Sequence, residues 1–134
     1  PLVIVSDGVE YFIRRILNRA GLSHLPVVAN RLQHGNQGLF TLIDCVPHPG
    51  CAAGSGVCKC RTVQGEAAST QFTVYIGDGR SDFCVSAKAD LLFARGKLAQ
   101  YASARSMAHH EFSDFREIKA TLDSYYGTRL SAAV

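Results

Sequence analysis

Short apolar runs alternate along this chain with segments whose apolar residues recur at helical spacing. That alternation is the strongest constraint on its architecture, because strands joined through helices line up in a mainly parallel sheet. Residues 2–5 (LVIV) read as a buried strand. In EYFIRRILNRAG, the residues Phe12, Ile13, Ile16, Leu17 and Ala20 follow helical spacing, and Gly21 stands where a C-cap belongs. Residues 24–30 form a second expected strand, and 38–46 a third extended segment after a polar turn at 33–38. Residues 47–60, rich in Gly, Pro, Ser and Cys, read as a loop, with a short helix following Lys59. Residues 71–77 are the clearest strand, and Ser81 is the expected N-cap of a short helix with Asp82 in its first turn. A strand at 90–95 and helices at 97–107 and 113–126 complete the chain. The last helix carries a stripe of Phe115, Ile118, Leu122 and Tyr125. The expectation is one α/β domain over residues 1–134, with ligands held outside the carboxyl ends of the strands. Ser6-Asp7-Gly8, Asn30 and Gly77-Asp78-Gly79 fall at those ends.

Composition narrows the partners. With 134 residues, 47 % hydrophobic and 19 % charged, the chain is not a disordered composition and can bury a core of its own. No apolar run approaches the roughly 18 residues of a membrane span, so no membrane is expected. A net charge of +3 without a basic run gives no reason to expect nucleic acid. Five cysteines, an odd number, and no visible secretion signal make the cytoplasm the expected compartment. The chain opens Pro1-Leu2-Val3-Ile4-Val5, a strand with almost no lead-in, and natural sequence is expected upstream of Pro1.

Four groups of residues can carry chemistry. Asp78 at a strand end and Asp82 four residues on can bring two carboxylates to one small volume, which then calls for a cation. Magnesium suits such a site, whereas punctuation reads Asp78 as a turn residue and Asp82 as a helix-dipole partner. Ser6-Asp7-Gly8, at a strand end before a helix, suits either an anion cradle or an N-cap. Lys59 at the end of the loop can hold a phosphate or be a solvated lysine. Cys45, His48, Cys51, Cys58 and Cys60 can bind zinc, or stand as reduced, partly buried thiols, since their spacing lacks a paired CxxC pattern.

Taken together, these stretches resemble the haloacid dehalogenase superfamily of phosphatases. The family's second motif, a Ser or Thr closing an apolar strand, is matched by VIVSDG with Ser6. Its third, a lone Lys, is matched by Lys59, and its fourth, an apolar strand ending in Gly-Asp with another Asp four residues later, by VYIGDGRSD. HPGCAAGSGVCKC, DLLFARGKLAQY and FSDFREI resemble the methionine-salvage methylthiopentenyl-phosphate phosphatases and the phosphoethanolamine/phosphocholine phosphatases within it. The resemblance implies a three-layer, Rossmann-like, mainly parallel sheet and a magnesium-dependent phosphatase of a small phosphorylated metabolite, working through an aspartyl-phosphate. It assigns Ser6, Asp7, Gly8 and Lys59 to phosphate and Asp78 and Asp82 to magnesium. The nucleophile belongs to the family's DxD motif, whose expected place is upstream of Pro1. Asp7 does not replace it, because Val9 occupies the position of the second acid. The central first strand and the cap are thereby expected to lie outside this chain. Residues 2–5 and 72–76 would then each leave a strand edge unpaired, to be met by an N-terminal segment, by a partner chain such as a second copy, or by the two strands closing on each other. Residues 1–134 alone are expected to be poorly soluble or oligomeric, and inactive. Two other readings remain: a receiver domain phosphorylated at Asp44, or a zinc-binding interaction domain built on the cysteine loop.

Overall fold

The computed structural model describes residues 2–35, 38–67 and 72–131. It divides into two compact units, Pro1–Gln71 and Phe72–Val134. Of the expected turn at 33–38, Asn36 and Gln37 lie outside the described residues, as does Gln71 of the expected strand at 71–77.

The first unit runs β1 (Ile4–Val9), α1 (Glu10–Arg19), β2 (Val27–His34), β3 (Phe40–Ile43) and α2 (Lys59–Ala67). Strand β1 lies parallel to β2, pairing Ile4 with Val27 and Ser6 with Ala29. The strand was expected to stop at Val5 but continues through Ser6-Asp7-Gly8. The register slips between Ser6 and Val9, where the Gly8 N–H turns onto the Ser6 hydroxyl, 3.0 Å away, inside the chain's own backbone. Strand β2 begins at Val27 because Pro26 has no N–H for the ladder, although its carbonyl still accepts from Ile4. Strand β3 is antiparallel to β2, with Arg31 opposite Ile43 and His34 opposite Phe40. The connection at 35–39 is far shorter than the dozen or so residues a parallel crossover needs. The following loop is closed by a bridge between Val46 and Val57, with Cys58 donating to the Val46 carbonyl.

Helix α1 is less buried than its pattern predicts. Ile13 and Leu17 are half-buried, but Phe12 and Ile16 are 57 % and 67 % exposed. The buried residues described in this unit are Ala29, Asn30, Val57, Cys58 and Lys59, which is an unusually polar set.

The second unit runs β4 (Val74–Gly77), a 3-10 turn (Arg80–Asp82), α3 (Phe83–Ser86), β5 (Leu91–Ala94), α4 (Gly96–Ala104), β6 (His110–Glu111) and α5 (Phe115–Ser131). All three strands are parallel, in the order β4-β5-β6. Central β5 is buried along its whole length, and its residues alternate between two faces. Leu92 and Ala94 pack with Leu98, Ala99 and Ala102 of α4, while Leu91 and Phe93 pack with Ile118 of α5. The unit is thus helix, sheet and helix in three layers, as the α/β alternation implies. The stripe on α5 holds for Ile118, Leu122 and Tyr125, the last stacked on Phe72 at 5.5 Å. Phe115 lies outside it, 72 % exposed. Leu98 is fully buried, so Leu98→Ala should cost about 3 kcal/mol in urea unfolding.

Within its own sheet, β1 pairs with β2 on one side, and β4 with β5 on one side. Each is therefore an edge strand among the described residues. No described helix is long and apolar enough to cross a membrane.

Candidate functional site

In the first unit the chemistry gathers where β1 gives way to α1. The N-cap of α1 is Val9, which contributes no side-chain bond, so the Ser6-Asp7-Gly8 segment does not cap the helix. Ser6 instead accepts from Gly8 and keeps the segment folded on itself. The Asp7 carboxylate accepts the N–H of Val57 at 3.2 Å, fifty residues along the chain. The Asp7 carbonyl accepts from the side-chain amide of Asn30 at 2.9 Å, and the Asn30 amide oxygen accepts the Cys45 N–H at 3.2 Å. Asn30 is 3 % exposed, so both ends of its amide are used inside the fold. Sequence reasoning placed Asn30 at a strand end and gave it no task; the structure places it within β2, which continues to His34.

Through Asp7, the structure ties the Ser6 segment to Val57, two residues before Lys59. Lys59 is the first residue of α2 and only 9 % exposed, which sets it apart from a solvated surface lysine. Gly56 fits its place because it lacks a side chain. A Cβ there would lie 2.3 Å from the Asp44 carboxylate and 2.9 Å from the Asn30 amide oxygen.

In the second unit β4 ends at Gly77, and Asp78 follows with an exposed side chain. Asp82 is 2 % exposed, and its carboxylate is fully engaged. One oxygen accepts from the Tyr75 hydroxyl at 2.8 Å, and the other from the N–H groups of Asp78 at 3.0 Å and Gly79 at 2.8 Å. The N-cap of α3 is Asp82, not the expected Ser81, and its carboxylate accepts the N–H groups of the turn from its C-terminal end. The carbonyls of Gly77 and Asp78 accept from Arg95 and Leu98, so the turn is held on its other side as well. A Cβ on Gly77 would meet Asp82 at 2.8 Å and Leu98 at 3.0 Å, so only glycine fits. Asp78 and Asp82 thus have different tasks. Asp82 shapes the turn, and Asp78 presents a carboxylate that has no hydrogen-bond or ion-pair partner among the described residues.

The cysteine loop does not assemble a metal centre. Among the described residues, no three His, Cys, Asp or Glu side chains converge on a common point, and none of the five cysteines is in a disulfide. Cys45, His48 and Cys51 lie along the loop, Cys58 is buried, and Cys60 is on α2. The Cys51 sulfur lies 3.9 Å from the Ser55 hydroxyl, and the Ser55 N–H beside it lowers the thiol pKa, against the effect of burial. The His109 ring lies against the Met107 carbonyl at 2.8 Å, and His110 opens β6 with its ring tilted on Phe93. The receiver reading of Asp44 is not supported by the topology. A receiver's third strand lies in a parallel sheet, and β3 is antiparallel.

In the first unit Asp7 ties the Ser6 segment to Val57, two residues before Lys59, and in the second an Asp-presenting turn follows β4. The family described as "Putative Phosphatase" matches residues 1–125, and the chain belongs to it. It is similar to the 2-hydroxy-3-keto-5-methylthiopentenyl-1-phosphate phosphatase of Brevibacillus brevis, 26 % identical across 87 % of this chain and 53 % of the relative. It is also similar to the polyol phosphate phosphatase PYP1 of Saccharomyces cerevisiae, 26 % identical across 91 % of this chain and 55 % of the relative. The bifunctional enzyme MtnB/MtnX of Bacillus licheniformis matches at 26 % identity over 92 % of this chain and 29 % of the relative. The chain spans about half the length of the first two relatives.

Proposed function

We propose that residues 1–134 supply the phosphate-holding and metal-holding parts of a phosphatase that acts on small phosphorylated metabolites through an aspartyl-phosphate. The observation that carries this reading is the Asp7–Val57 hydrogen bond, which ties the Ser6 segment to the chain leading into Lys59. The Ser6 hydroxyl and the N–H groups around Gly8 donate to phosphoryl oxygens and orient them, and Lys59 adds a cation in a buried setting where its charge is weakly screened. Asp78 is the residue that would hold magnesium: a hard, exposed carboxylate on a turn fixed by Asp82 suits a hard ion that keeps several waters. When bound, magnesium offsets negative charge at the phosphoryl group. Asp82 does its part through the backbone, by keeping Asp78 in one position. The attacking carboxylate, in this reading, comes from outside residues 1–134.

The test is hydrolysis of a panel of phosphomonoesters by the protein that contains these 134 residues, with and without magnesium. Lys59→Met and Asp78→Asn should each lower kcat/KM by about a hundredfold or more, while both variants melt within a few degrees of the parent. Full activity in Asp78→Asn, or activity indifferent to magnesium, would refute the assignment.

A further inference from the structure

Between α1 and the β2–β3 hairpin, the first unit has a cavity of about 750 Å³ that the phosphate reading does not use. Its walls are Tyr11 and Phe12 of α1, Leu32 of β2 and Phe40 of β3, all exposed. Its polar side is Glu10, Arg14 and Arg31. Arg14 donates to one oxygen of Glu10 at 2.6 Å, and Arg31 to the other at 3.0 Å. Three charges of that kind leave a net charge of about one positive.

We propose that this cavity receives the alcohol part of the phosphomonoester, and that this part is aromatic or aliphatic and not a polyol. The inference rests on the phosphatase reading and names the substrate class for it. Continuity with the phosphate-holding segment carries it. Glu10 is two residues beyond Gly8, Arg31 directly follows Asn30, and Val9 and Asn30 are partners in the β1–β2 ladder. Consecutive Cα atoms are 3.8 Å apart, so the rim of the cavity begins within about 8 Å of Gly8. A phosphate held at Ser6 and Gly8 therefore has this cavity as its neighbour. The volume falls within the roughly 300–1,000 Å³ of small-ligand sites. Its walls offer carbon and two aromatic rings from α1, which favour flat or apolar groups. A polyol would lose its water to such walls and gain few partners. The net positive charge of the Glu10, Arg14 and Arg31 group complements an anionic ester. Arg31 is suited to that task, because its side chain is 70 % exposed while one N–H holds Glu10.

The test is calorimetric binding, in magnesium, to the protein containing these residues. The ligands are inorganic phosphate, phenylphosphonate and 2,3-dihydroxypropylphosphonate. Phenylphosphonate should bind at least about tenfold more tightly than the dihydroxypropyl compound. Phe40→Ser and Leu32→Ser, at exposed positions, should bring the two within about twofold of each other while inorganic phosphate still binds. Equal binding of the two phosphonates, or a preference that survives both substitutions, would overturn the subsite and leave the phosphatase reading intact. If none of the three anions binds, the phosphatase reading fails and the subsite with it.

Discussion

Replacing Asp82 with alanine is expected to lower the unfolding free energy by about 3 kcal/mol, and Asp78→Asn to change it by less than about 0.5 kcal/mol. The two acids are four residues apart and look alike in sequence, but their surroundings differ. Asp82 is 2 % exposed and accepts three hydrogen bonds, from the Tyr75 hydroxyl and from the N–H groups of Asp78 and Gly79. Hydrogen bonds to a charged acceptor contribute roughly 1.5–3 kcal/mol each, and three that share one carboxylate do not add in full. Alanine at 82 would strand all three donors and leave a small void beneath Gly77. The melting midpoint should fall on the order of 10 °C. Tyr75→Phe removes one donor, keeps the ring, and should cost about 1 kcal/mol. Metal affinity should sort the acids differently. Asp78→Asn, though folded, should lose magnesium binding, because its carboxylate is the exposed one. An Asp82→Ala variant that melts with the parent would show that the turn is held by Arg95 and Leu98 alone.

The parts of the fold that were legible in sequence are those where a local pattern and the tertiary environment agree. LLFA at 91–94 is an unbroken apolar run, and β5 is buried along its whole length at the centre of its sheet. GDGRSD was legible as a turn because glycines and acids following an apolar strand have few other uses. Spacing left Lys59 open between a phosphate ligand and a solvated surface lysine, and its burial speaks against the second. The misses share a different cause. Strand β1 runs four residues past the expected apolar stretch at 2–5, and β6 has only His110 and Glu111, too few to show a period of two. The apolar face of α1 was visible as a pattern, but its depth of burial depends on what packs there, and Phe12 and Ile16 remain exposed. The different tasks of Asp78 and Asp82 depend on side-chain direction inside one turn, which spacing does not encode. Asn30 was missed as a site residue for the same reason: its partners lie 23 and 15 residues away.

Asn30→Ala is expected to have the largest effect in the first unit, about 2–3 kcal/mol in stability and at least a tenfold loss in phosphate affinity. Asn30 is nearly sealed from water, and its amide joins the Asp7 carbonyl to the Cys45 N–H. Alanine leaves one donor and one acceptor without partners in the interior, where each costs roughly 1–3 kcal/mol. Affinity should fall because Asp7 is also the residue that holds Val57, so a loosened Asp7 carries Ser6 and the chain leading to Lys59 apart. Asn30→Asp separates the two halves of the argument. It keeps the size of the side chain and an oxygen for the Cys45 N–H, but sets an oxygen against the Asp7 carbonyl in place of the amide donor. If the Asp7 contact is what matters for phosphate, Asn30→Asp should bind phosphate as poorly as Asn30→Ala. A double-mutant cycle with Asp7→Ala should then show coupling of about 1 kcal/mol or more, because both residues act on the same segment. Additive losses would mean that Asn30 and Asp7 support the site independently, and the Asp7–Val57 tie would no longer explain how Ser6 and Lys59 are held together.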